Sequence, residues 1–73
     1  MSKAVNLKSI KDFPIGSLCI TTTNLVVNDG IVSSGQISLV LGKPNNPKSL
    51  NCVSVLILGQ IIDMHVDYIK TIP

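Results

Sequence analysis

The sequence predicts a small all-β domain, a five-stranded barrel preceded by an N-terminal arm. Three observations carry that expectation. Short runs of β-branched and apolar residues recur along the chain, clusters of Gly, Pro, Asn and Asp punctuate them, and no long stretch repeats with a helical period. A length of 73 residues leaves room for one domain with a thin core, since so short a chain buries only about 60% of the surface it exposes when unfolded.

Residues 1–13 hold Val5, Leu7, Ile10 and Phe13 among lysines and serines. Their pattern is neither helical nor alternating, so they are expected to be an arm that docks on something, and the barrel is placed at residues 14–73. Pro14 and Gly16 release "SLCITTT" as a first strand, with Leu18 and Ile20 on one side. In "NLVVNDGIVSSG", Asp29-Gly30 lies between Val26, Val27 and Ile31, Val32 and signals a hairpin, because a primed turn needs positive φ angles that Asp and Gly tolerate. "GQISLVLG" sets Ile37, Leu39 and Leu41 against Ser38 and Val40, which fits a strand with one buried face. "KPNNPKS" is a surface loop: its prolines cannot donate to a ladder and its asparagines favour turns.

"NCVSVLIL" resumes as a strand with Val53, Val55 and Ile57 on one face and Cys52, Leu56 and Leu58 on the other. A strand apolar on both faces is central or covered by a partner. Gly59-Gln60 is expected to turn into "IIDM", "HVDY" to form a short turn, and "IKTI" to close the barrel. Ile61, Val66, Ile69 and Ile72 are the inward residues expected there.

The composition is 45% hydrophobic and 14% charged, apolar for so small a domain, so part of that surface is expected to meet another chain. The longest apolar run, "CVSVLILGQII", is interrupted and falls short of the roughly 20 residues that span a bilayer. No membrane span is expected, and the first residues do not read as a secretory signal, which points to the cytoplasm or a particle assembled there. Six lysines without arginine face four aspartates without glutamate, for a net charge of +2. Lys3, Lys8, Lys11, Lys43 and Lys48, with a pI near 8.7, motivate a second function class, a nucleic-acid-binding small barrel. Cys19 and Cys52 lack the spacing of a zinc ribbon or a redox pair and read as free thiols among apolar residues.

Asp63, His65 and Asp67 alternate, so on a continuous strand they would share one face and could hold a divalent metal. A turn at "HVDY" breaks that alternation, and His65 then caps or hydrogen-bonds the turn, with Asp67 or a backbone carbonyl as partner. Serines and threonines are plentiful but lie in no nucleophile elbow. No catalytic residue, no cofactor and no metal site are expected.

From Pro14 to the end, the order "PIGSLCIT", "GQISLVLG", "VSVLILGQIIDMHVDYIKTI" resembles the small SH3-like barrel proteins encoded by many tailed bacteriophages. The landmarks are Gly16-Ser17-Leu18, Gln36 to Leu41, Val53 to Leu56, Gly59, and His65 with Val66, Ile69 and Ile72. The resemblance implies a five-stranded SH3-like barrel with a turn of tight helix at His65 to Tyr68. It also implies a non-enzymatic structural or protein-interaction module, a small capsid, neck or tail accessory of a phage virion that docks on a larger protein or self-assembles. Its place would be the virion or the cytoplasm of the infected host cell. Where family members often carry an aromatic residue, in the third strand and before the histidine, this chain has Ile57 and Asp63. Phe13 and Tyr68 are its only aromatics, so neither an aromatic groove for proline-rich ligands nor base stacking is expected. The contact residues expected are Val5, Leu7 and Ile10 in the arm and Leu25, Val26 and Val27 beside the hairpin, with other virion proteins or further copies of the chain as partners.

Overall fold

A computed structural model of the chain describes residues 9–27 and 30–73. The β-branched runs become the strands β1 (Leu18–Thr21), β2 (Leu25–Val27), β3 (Gly30–Val32), β4 (Ile37–Gly42), β5 (Cys52–Ile57), β6 (Gln60–His65) and β7 (Ile69–Thr71). Two one-turn 3-10 helices, η1 (Ile10–Asp12) and η2 (Val66–Tyr68), precede β1 and β7. The protein is all-β, as its pattern predicts. Five strands form an antiparallel sheet in the order β6-β5-β4-β1-β7, and β2 and β3 form a separate hairpin. The apolar "NCVSVLIL" run is indeed interior to its sheet, with β4 and β6 on either side.

The chain enters the domain through a capped turn. The Ser9 hydroxyl accepts from the Lys11 N–H at 3.2 Å, and the Asp12 carboxylate accepts from the Ser9 N–H at 3.0 Å. This reciprocal pair satisfies donors that a helix start leaves open, and it delivers Phe13 into the core. Phe13, the last residue of the expected arm, is thus part of the domain, while Ile10 stays exposed. Val5 and Leu7 lie outside the described residues.

The core joins Phe13, Cys19, Val32 and Val40 to Val53, Val55, Ile57, Met64, Val66 and Ile69, with Leu25, Val27 and Ile62 packed on its margin. Two strands bury the face that hydropathy would have put outside. β1 buries Cys19 and Thr21, and β4 buries Ser38 and Val40, while Leu18, Ile37 and Leu41 are exposed. The register explains the pairing, with Leu18 opposite Leu39, Cys19 opposite Ser38 and Ile20 opposite Ile37. Small side chains occupy the middle of the sheet because the larger valines and isoleucines of β5 and β7, with Phe13, already fill a thin core. Thr21 is buried at little cost: its hydroxyl donates to the Ser33 carbonyl at 2.9 Å and accepts from the Gln36 N–H at 2.8 Å. The Ser38 hydroxyl is buried without a hydrogen-bond partner.

The closing stretch corrects two further expectations. Val66 and Ile69 point inward, but Ile61 and Ile72 are exposed. Ile61 pairs with the outward Leu56, whereas Ile62 and Met64 pair with the inward Val55 and Val53. The turn lies one residue earlier than Gly59-Gln60, because Gln60 already pairs with Ile57. Leu58 and Gly59 make the turn with φ of 50° and 75°, the twofold positive φ of a primed hairpin. In the β2–β3 hairpin Gly30 is likewise a paired residue, opposite Val27. Gly30 of the expected Asp29-Gly30 turn is thus a strand residue, and Asp29 lies outside the described residues.

Candidate functional site

A groove of about 650 Å³ runs between the hairpin and β6. Leu25, Val26 and Val27 line one side, Gln60 through His65 the other, and Asn45, Cys52 and Tyr68 complete it. Successive side chains of a strand point to opposite faces, so six consecutive lining residues mean that the groove follows the edge of β6 and not one of its faces. Among the described residues, β6 has a ladder partner on one side only, as does β2. Both long walls therefore belong to strands at the end of their sheets, the arrangement that lends itself to pairing with another chain.

The sequence pattern selects three of these wall residues, Leu25, Val26 and Val27. Their alternation is clear: Leu25 and Val27 pack on the core margin, and Val26 is 87% exposed. Ile10 is exposed on η1 but does not line the groove. The β6 wall is absent from the expected contact residues, because Ile61 reads as an inward residue and nothing in the pattern singles out Ile62. The Asp29-Gly30 hairpin signal, followed by a second turn at Gly59, could have placed both strands at sheet ends.

The polar end of the groove is built by the Asp63 carboxylate and the His65 imidazole, which have different tasks. The Asp63 carboxylate accepts from the backbone N–H groups of Asn45 at 2.7 Å and Asn46 at 3.0 Å. It thereby ties the 43–51 loop to β6, and the Asn46 side chain in turn accepts from the Lys48 N–H at 3.0 Å. His65 ends β6 and caps η2, its Nδ1 accepting from the Asp67 N–H at 3.1 Å. The Asp67 carboxylate lies 3.7 Å from the same nitrogen, and the Tyr68 ring stands 5.6 Å from the imidazole, tilted by 51°. The expected capping role of His65 is found, with a backbone N–H as its partner. Alternation stops at His65, so Asp67 leaves the face that Asp63 and His65 share.

Cys52 and His65 are cross-strand partners at this end. Two features set them apart from a nucleophile–base pair. The thiol donates to the Leu50 carbonyl at 3.4 Å, and burial, followed by the negative charge of Asp63, pushes its pKa above the ordinary value, whereas a reactive cysteine needs it lowered. In addition, an Nδ1 that accepts a hydrogen bond leaves the proton of the neutral ring on Nε2, which then donates. The groove thus offers aliphatic walls, unpaired strand edges and a hydrogen-bonded polar end, the makings of a binding surface.

Among the described residues, no helix is long and apolar enough to cross a membrane. No family model, curated protein or solved structure matches the chain.

Proposed function

We propose that the chain is a non-enzymatic protein-interaction module, an SH3-like barrel that serves as a small accessory component of a phage virion. The observation that carries the interaction reading is the groove, whose walls are two strand edges lined by Leu25, Val26, Val27, Ile61 and Ile62. An extended segment of a larger protein fits such a site by adding a strand, with main-chain hydrogen bonds for affinity and side-chain contacts for selectivity. Support for the SH3-like reading comes from η2, which stands at Val66–Tyr68 where the resemblance calls for a turn of tight helix. Support for the virion reading is the resemblance of residues 14–73 to phage barrels.

The alternative of a nucleic-acid-binding barrel finds less support, because among the described residues no lysine lines the groove and the charged carboxylate of its wall is Asp63. Phosphate binding draws its affinity from clustered cations.

Proteomics of purified phage particles tests the proposal. The chain is expected in the particles at fixed stoichiometry, and V26K, which places a charge in the groove wall without touching the core, is expected to fold normally and be lost from them. Absence of the unaltered chain overturns the virion reading. Retention of V26K at the original copy number overturns the groove as the contact.

A further inference from the structure

The solvent side of the five-stranded sheet is aliphatic from one edge to the other. Leu18 pairs with Leu39, Leu39 with Leu56 and Leu56 with Ile61. On the other flank, Cys19 pairs with Thr71 and the Ile72 N–H donates to the Leu18 carbonyl at 2.9 Å, which puts Ile72 beside Leu18. Residues paired across strands share a face, so Ile72, Leu18, Leu39, Leu56 and Ile61 form one transverse row over β7, β1, β4, β5 and β6. The next row holds Ile20 and Ile37, with Lys70 as its charged end. Leu58, in the turn that follows β5, is exposed.

We infer that this face is the contact between two copies of the chain. Leu18 is 51% exposed, Ile37 54%, Leu56 39%, Leu58 59%, Ile61 59% and Ile72 38%. Together they offer on the order of 500 Å² of apolar surface, near the top of what the largest patch of a monomer reaches. Two such faces together with their rims bury on the order of 1,000 Å², the lower limit of a specific interface. The row is also self-complementary: read from either end it runs Ile, Leu, Leu, Leu, Ile. A two-fold axis parallel to β4 and passing over Leu39 sets Leu18 over Leu56 of the second copy and Ile72 over its Ile61, which is the isologous contact that closes a dimer. No charge interrupts the row.

This inference names a surface and a partner for the self-association part of the interaction reading, and it uses a face that shares Ile61 with the groove but lies apart from the outward side of the hairpin that carries Val26. Sedimentation velocity of the full chain from about 1 to 100 μM, a range that brackets micromolar affinity, tests it. The expected result is a concentration-dependent dimer, weakened at least tenfold by L18K and by L56K, neither of which lines the groove, and left unchanged by V26K, with far-UV circular dichroism unaltered in each. Two substitutions at separate points of the row keep the test open should one of them disturb folding. A chain that stays monomeric throughout, or a dimer that V26K weakens as much as L18K does, overturns the inference. A monomer that is still incorporated into particles would remove this interface and leave the groove reading standing.

Discussion

Removing the Ser38 hydroxyl should stabilise the protein. Ser38 lies in β4, opposite Cys19 and next to Val40, and its Oγ is buried with no partner. An unpaired buried hydroxyl costs about 1–3 kcal/mol by mutational measures. Ser38→Ala leaves a void of roughly 20 Å³ at most, worth about 0.5 kcal/mol at the usual cavity cost. The net gain is about 1 kcal/mol, which in a domain of this size raises the melting temperature by about 4–8 °C. Equilibrium urea unfolding should show a higher midpoint with an unchanged slope. Thr21→Val is the contrasting substitution of nearly equal volume on the same buried face. It strands the Ser33 carbonyl and the Gln36 N–H that Thr21 now satisfies, and it should cost about 2 kcal/mol. A Ser38→Ala protein less stable than its parent by 1 kcal/mol or more would refute the reasoning, because the hydroxyl would then have to be bonded.

Asp63→Asn keeps the side-chain shape but weakens the two bonds that hold the 43–51 loop; amide hydrogen exchange at Asn45 and Asn46 should quicken about fivefold to tenfold, with little change in global stability. Gly42 has φ of 140° and a β-carbon there would meet the Ile15 side chain at 3.5 Å, an ordinary contact, so the loss of about 1–3 kcal/mol expected in Gly42→Ala reflects backbone strain and should appear in urea melts. The raised pKa of Cys52 means the folded state holds the thiol proton more tightly than the unfolded chain. Its contribution to stability is therefore present below the unfolded value and lost as pH rises through the folded one. Alkylation of Cys52 followed by peptide mass mapping should run slower than that of a free thiol near neutral pH and faster in Asp63→Asn, which removes the nearby negative charge.

Strand existence is legible because β-branched runs between turn residues leave few other choices, and in β5 Val53, Val55 and Ile57 share one face as read, although the pattern does not say that this face is the inward one. Facing was legible only where one side of a strand is plainly less apolar. In β1 and β4 both sides can be buried: Leu18 and Ile20 compete with Cys19 and Thr21, and Ile37 and Leu39 compete with Ser38 and Val40. Hydropathy picks the larger residues, but the space left by Phe13, Ile57 and Ile69 admits the smaller ones. Phe13 itself falls to the arm on pattern, since a lone aromatic ahead of Pro14 has no periodicity to place it. At the site, the hairpin wall was visible from its turn chemistry and the His65 cap from the break in alternation. The tether from Asp63 to Asn45 and Asn46 joins residues far apart in the chain and leaves no local mark.

The inverted facing of β1 and β4 also bears on how the chain finds its fold. A slip of one residue in either strand exchanges its two faces, and here the exchange would bury leucines and isoleucines and release serine, cysteine, threonine and one valine, Val40, to water. Hydrophobic burial within these two strands thus favours the wrong alignment. The correct one must be imposed from outside them, by the Leu58-Gly59 turn that fixes β6 on β5, by the β2–β3 hairpin between β1 and β4, and by the bonds of Thr21 to Ser33 and Gln36. The outer leucines of this sheet work against its own register, and polar residues in their places would widen the gap to the misaligned competitor while leaving every core contact as it is.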